Sequence, residues 1–159
     1  MDQRLKNKEW RINNLYKIRN KEGKLIKFVR NRAQRHLNEN KWHRNLILKS
    51  RQLGFTTDES LDCLDDVLFT PNIDTLLIAH NLEAGASIFD KKILFAWEKL
   101  PEEIKQLYSV DTKTSKTLKV DFGVKGFSSI AVDTSGRSGT YQRLHVTELA
   151  DISKKFPHN

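Results

Sequence analysis

The stretch Asn45-Leu46-Ile47-Leu48-Lys49-Ser50-Arg51-Gln52-Leu53-Gly54-Phe55-Thr56-Thr57 reads as an apolar strand, a polar turn closed by a glycine, and a helix start rich in hydroxyls. Such a turn can cradle a triphosphate. Successive backbone N–H groups and the positive end of the helix wrap phosphate oxygens, and a hydroxyl at the helix start reaches Mg²⁺. Laying the spacing G-x-x-x-x-G-K-[ST] over the stretch puts Lys49 at the first glycine and Phe55 at the phosphate-binding lysine, so only Gly54 and Thr56 fit. The positive charge over the β and γ phosphates must then come from the entry side of the turn, where Lys49 and Arg51 stand. Two features count the other way. Thr56 and Glu59 have the spacing of a capping box, which needs no ligand. Asp58 and Glu59 would repel a phosphate unless they point away from it.

About ninety residues on, Tyr141-Gln142-Arg143-Leu144-His145-Val146-Thr147-Glu148 reads as a second strand ending in a carboxylate, the other half of a P-loop ATPase site. Between the two segments the periodicity alternates. A helix from about 57 to 69 turns Leu61, Leu64, Val67 and Leu68 inward, Pro71-Asn72 ends it, and a strand follows at 75–79. A long helix is predicted over 82–100 with Ile88, Phe89, Ile93 and Trp97 inward, and Pro101 starts a shorter one reaching 108. Residues 117–122 and 127–132 alternate around Gly123 to Gly126 and predict a β-hairpin. Ahead of the turn, 1–20 reads as one helix, 25–29 as a short strand, and Asn31 as the cap of a helix carrying Gln34 and Leu37. Strands alternating with helices imply an α/β fold with a mainly parallel sheet covered on both faces, whose ligands sit at the carboxyl ends of the strands. Thr56 and Glu148 both fall just past such ends.

At 159 residues the chain suits one domain, taken as a basic helical extension at 1–24 and a partial ATPase domain at 25–159. No apolar run approaches the ~20 residues that span a bilayer, so an intracellular, membrane-free protein is expected. The single cysteine, Cys63, rules out an internal disulfide and sits in an apolar helical pattern that favours inert packing. His145 lies between Leu144 and Val146, a packing position, and the other histidines are scattered, so no metal cluster is expected. The net charge of +8 is uneven: residues 1–51 hold 16 Lys/Arg against 4 Asp/Glu, and residues 52–159 hold 12 against 16. That asymmetry points to a polyanion near the N-terminal third, nucleic acid first, or else to a solvated basic face. Trp10 and Tyr16, interleaved with Lys6, Lys8, Arg11, Lys17 and Arg19, can stack on bases or pack on the domain.

Taken together, Lys49 to Thr57, Gly136-Arg137-Ser138-Gly139-Thr140, Leu144 to Ala150 and Asn31-Arg32-Ala33-Gln34 resemble the large terminase subunit of tailed bacteriophages over about residues 25–152. The resemblance implies a P-loop NTPase fold of the RecA-like, additional-strand type. It implies an ATPase that uses ATP and Mg²⁺ to drive viral double-stranded DNA through a portal protein into an empty capsid. The partners so implied are the small terminase subunit and other copies of the chain in a ring, in the cytoplasm of the bacterial host. By the same resemblance, Lys49, Ser50, Arg51, Gln52, Leu53, Gly54, Phe55, Thr56 and Thr57 form a deviant phosphate loop, with Phe55 the departure from its pattern. Thr56 would bind Mg²⁺ through its hydroxyl and Glu148 would polarise the attacking water. Thr147 stands where an acid is usual and would hold a metal-bound water. Gln34 resembles the glutamine that reads adenine, whose amide donates and accepts along one base edge. Arg137 resembles a finger acting on a neighbouring subunit, against the alternative of a loop arginine bound to a nearby carboxylate.

Large terminases also carry a nuclease domain and further ATPase strands, and the chain stops at Asn159, so an N-terminal fragment with an open sheet edge is expected. Two other readings fit parts of the sequence. One is a DNA-binding or assembly module that hydrolyses nothing, and the other is another P-loop ATPase such as a helicase or recombinase.

Overall fold

The alternation from Thr117 to Val132 builds the antiparallel half of the sheet. The computed structural model describes residues 3–48, 52–107, 109–114, 116–136 and 139–155. Strands β5 (Thr117–Asp121) and β6 (Phe127–Asp133) pair as the predicted hairpin, with Leu118, Val120, Ile130 and Val132 buried on one face. β4 (Ser109–Lys113), not anticipated from the sequence, pairs antiparallel with β5. On the other side of β6 comes β3 (Asp74–Ile78), parallel to it, and then β7 (Arg143–Val146), parallel to β3. The order is β4-β5-β6-β3-β7. The sheet is therefore mixed rather than mainly parallel, because the hairpin and β4 join the same sheet instead of standing beside it. Among the described residues only β3 has the continuous burial of a strand covered on both faces, with Thr75, Leu76 and Leu77 all inaccessible.

Helix α3 (Phe55–Phe69) buries Leu61, Leu64, Val67 and Leu68 completely, on the face its periodicity predicts. Burying four such side chains contributes on the order of 1.5–3 kcal/mol each before the entropy of ordering them is subtracted. The predicted long helix forms as α4 (Leu82–Ile88), a π turn (Phe89–Leu94) and α5 (Phe95–Glu98), with Phe89, Ile93 and Trp97 in the core. α6 (Glu102–Lys105) and α7 (Leu149–Lys155) follow Pro101 and β7.

The N-terminal segment differs from the single helix predicted over 1–20. It makes a short 3₁₀ turn, α1 (Lys8–Asn14), and then β1 (Lys17–Arg19), which pairs antiparallel with β2 (Leu25–Lys27) around the turn at Gly23. Ile12, Leu15 and Tyr16 lie in the same buried cluster as α3 and β6. α2 (Arg32–Asn40) starts at Asn31, where a full capping box with Gln34 forms. The strand predicted at 45–49 is absent over 45–48, the part of it that lies among the described residues. Residues 45–48 carry no sheet pairing, and Leu46 and Leu48 are 76% and 91% exposed, since no strand lies beside them to satisfy their backbone. No helix of the described residues is long and apolar enough to cross a membrane.

Candidate functional site

α3 packs on β3 and β6 and runs back along β3 before the chain turns into that strand. Its first turn and the carboxyl ends of the parallel strands β3, β6 and β7 therefore share one edge of the sheet. The side-chain contacts agree: Arg143, at the start of β7, reaches Asp62 and Asp66 in the second half of α3.

Gly54 caps α3 in the left-handed region, φ 72°, with no side-chain cap. A Cβ here would stand 2.8 Å from Gln34 Nε2. That closeness is functional for the turn, because Gln34 Nε2 donates to Gly54 O at 3.0 Å while Gln34 Oε1 accepts from Asn31 N at 2.8 Å. Asn31 Nδ2 adds a donor to Leu53 O at 3.1 Å. The head of α2 thus holds the outgoing side of the turn. Gln52 is also left-handed, φ 67°, and its Oε1 accepts from Lys21 Nζ at 2.9 Å. Phe55 points into the core, at 7% exposure, and so brings no polar atom to the place where a loop lysine is usual. The capping box predicted between Thr56 and Glu59 is not made, since Gly54 takes the cap and Glu59 pairs with Lys41 at 2.6 Å. Thr56 is half-buried at the first turn, and Thr57 Oγ1 accepts from Lys92 Nζ at 2.6 Å. Lys49, Ser50 and Arg51 lie outside the described residues, as does Arg137.

At the other end of the site, Thr147 N and Oγ1 both donate to Ile78 O, at 2.8 and 3.1 Å, which zips the end of β7 to the end of β3. Glu148 follows with φ 54°, a left-handed conformation that swings it out of the strand line. Its carboxylate is 59% exposed, and Oε2 stands 2.7 Å from His80 Nδ1, just past β3. His145 is half-buried in β7.

The acids of α3 answer the objection raised by their charge. Asp58 Oδ1 accepts from Arg30 Nε at 2.7 Å and Oδ2 from Asn38 at 2.9 Å, so the carboxylate faces α2 and Arg30 rather than the turn. Asp62 is ringed by Lys8, Arg30, Lys41 and Arg143. Burial pushes its pKa up, but Lys8, Lys41 and Arg143 outweigh burial and hold it below the usual carboxylate range. Asp65 takes Arg11 and the Tyr16 hydroxyl, and Asp66 takes Lys8 and Arg143. For Asp58 and Asp65 burial wins and raises the pKa despite the facing arginines. This buried ion network was missed in the sequence. Its signal was present as acids at 58, 59, 62, 65 and 66, spaced to share one side of a helix in a chain whose first third is basic. The network also corrects the reading of the basic third: Lys8, Arg11, Arg30 and Lys41 face α3. Tyr16 is fully buried and Trp10 packs against the core under Arg4, so both aromatics pack on the domain. Cys63 is buried and its thiol is pushed up to about 12 by burial, which makes it inert.

Thr56, Thr147 and Glu148 each bring a side-chain oxygen to this edge. Among the described residues no hydrogen bond occupies the Thr56 hydroxyl, the lone pairs of Thr147 Oγ1 are not used up by its donation to Ile78, and Glu148 is open to solvent. No group of three or more His, Cys, Asp or Glu among the described residues could hold a metal ion unaided. A Mg²⁺ here would need the phosphates and water as ligands, which is how this ion is ordinarily held. No family model and no curated protein matches the chain.

Proposed function

We infer that this chain is the ATPase portion of a phage large terminase subunit, hydrolysing Mg·ATP to move double-stranded DNA into a capsid. One observation carries the reading. The first turn of α3, with Gly54 and Thr56, falls at the same sheet edge as Thr147 and Glu148, so a phosphate loop and a water-polarising carboxylate would face one nucleotide.

In this reading the N–H groups of the turn and the positive end of α3 bind the phosphates, with Lys49 or Arg51 supplying the charge that Phe55 cannot. Thr56 ligates Mg²⁺ and Thr147 holds one of its waters. Glu148 accepts a hydrogen bond from the attacking water and so aims it at the γ phosphorus. Gln34 is buried, with its amide committed to Asn31 N and Gly54 O, so it shapes the turn rather than reading adenine. Arg137 would serve a neighbouring copy in a ring, with the portal protein and the small terminase subunit as further partners.

Phosphate release from Mg·ATP by the wild type and by Glu148→Gln tests this. The expected result is a loss of about 10²–10⁴ in turnover with nucleotide binding retained, the range for one general base. Equal turnover in the two proteins would remove Glu148 from the chemistry and overturn the reading.

A further inference from the structure

The basic N-terminal third divides in two once folded. Lys8, Arg11, Arg30 and Lys41 are neutralised by the carboxylates of α3. Lys17, Arg19, Lys21 and Lys27, on the β1–β2 hairpin, ion-pair with no carboxylate among the described residues. The hairpin packs on α5, and between it and the π turn lies a cleft of about 420 Å³ whose polar lining is Arg19, Thr57, Ser87, Lys91 and Lys92, with Asp90 the one acid and Ile18 and Phe95 beside them.

Two features of this face cost stability in the free protein. Lys17 and Lys27 are direct cross-strand partners, and like charges directly opposite on a strand pair repel. Lys92 is partly desolvated, its pKa lowered by burial, and its one hydrogen-bond partner among the described residues is the neutral Thr57 hydroxyl near the positive end of α3. A phosphate in the cleft relieves the second, and a neighbouring phosphate along the same backbone would meet the hairpin lysines. The cations run from hairpin to helix rather than converging on one point, which suits a chain of phosphates better than a single small anion. Base stacking is not offered: Arg19 covers the Phe95 ring at 4.8 Å and Lys99 lies over it at 6.0 Å.

We propose that the β1–β2 hairpin and the π turn form a docking face for the sugar-phosphate backbone of double-stranded DNA, with one phosphate seated in the cleft by Arg19, Lys92, Thr57 and Ser87. The choice of duplex DNA as the polyanion rests on the function inferred above; the location rests on the charges. Such contacts fix position and carry no sequence information.

The test is anisotropy of a short labelled DNA duplex against the wild type, Arg19→Ala, Lys92→Met and, as a control of equal charge on a distant turn, Lys125→Ala, each over a salt series. The slope of log K against log salt should fall by about one for Arg19→Ala and for Lys92→Met and stay unchanged for Lys125→Ala. Thermal melts of the same proteins separate lost binding from lost folding. Wild-type binding with all three variants unchanged overturns the location and leaves DNA handling intact. No salt-dependent duplex binding by the wild type overturns the proposal outright. If Lys92→Met weakens Mg·ATP binding but not duplex binding, the cleft serves the nucleotide, which overturns this proposal while sustaining the ATPase.

Discussion

Gly54 shows how closely one residue can be constrained. It is left-handed, and a side chain would meet Gln34 Nε2 at 2.8 Å. Gly54→Ala should therefore cost about 1–2 kcal/mol from backbone strain alone and loosen the Gln34 clamp, which a thermal melt and amide exchange at Asn31, whose N–H donates to Gln34 Oε1, would report. Asp62 is constrained by charge. Removing its carboxylate leaves the surrounding cations uncompensated in a buried place, so Asp62→Asn should lose about 3–5 kcal/mol of stability. Its pH response has a definite sign. The folded pKa lies below the ordinary value of 3.8, so this stabilisation is present above about pH 4 and is lost as the pH falls through the folded value. Asp58 and Asp65, raised by burial, contribute in the opposite sense. Denaturant melts between neutral and acid pH should therefore show a shallower acid loss in Asp62→Asn than in the wild type.

Among the elements, the π turn at Phe89–Leu94 stands out, since such turns interrupt helices mostly at functional positions. It directs Lys92 toward the first turn of α3, where no carboxylate among the described residues pairs with the ammonium. Lys92→Met should raise the melting temperature, by about 2–4 °C for each kcal/mol recovered; a lower melting temperature would mean that the Thr57 contact outweighs the cost of the charge. The periodicity made the buried faces of α3 and of the helix at 82–98 legible, but not the π turn, because an extra residue in one turn hardly alters a pattern of apolar positions. β1 was hidden inside an apparent helix: Ile12, Leu15 and Tyr16 have helical spacing, and only the pairing of Ile18 with Ile26 makes 17–19 a strand. The strand expected at 45–49 fails for the complementary reason. Apolar content alone does not make a strand where no neighbour accepts its backbone.

Over the whole molecule, the α/β class was readable from the order of strands and helices, while the balance of parallel and antiparallel pairing was not, and the strand whose carboxyl end was to carry Thr56 is absent over 45–48. The fate of the charges could not be read at all, because composition counts Lys8 and Lys17 alike. Folding spends the first on Asp62 and Asp66 and leaves the second facing a lysine across the hairpin. Gly54, Thr56, Thr147 and Glu148 stood out in the sequence as candidates. His80, now 2.7 Å from Glu148, carried no signal, since it comes near only through the parallel pairing of β3 and β7.

A titration of the wild type and Arg51→Ala with a fluorescent ATP analogue, with and without Mg²⁺, meets most directly the proposal that the turn at 49–57 binds a magnesium nucleotide. The expected result is saturable, Mg²⁺-dependent binding to the wild type that weakens by about tenfold or more in Arg51→Ala, a loss of about 1.4 kcal/mol. Absence of saturable binding to the wild type would contradict it.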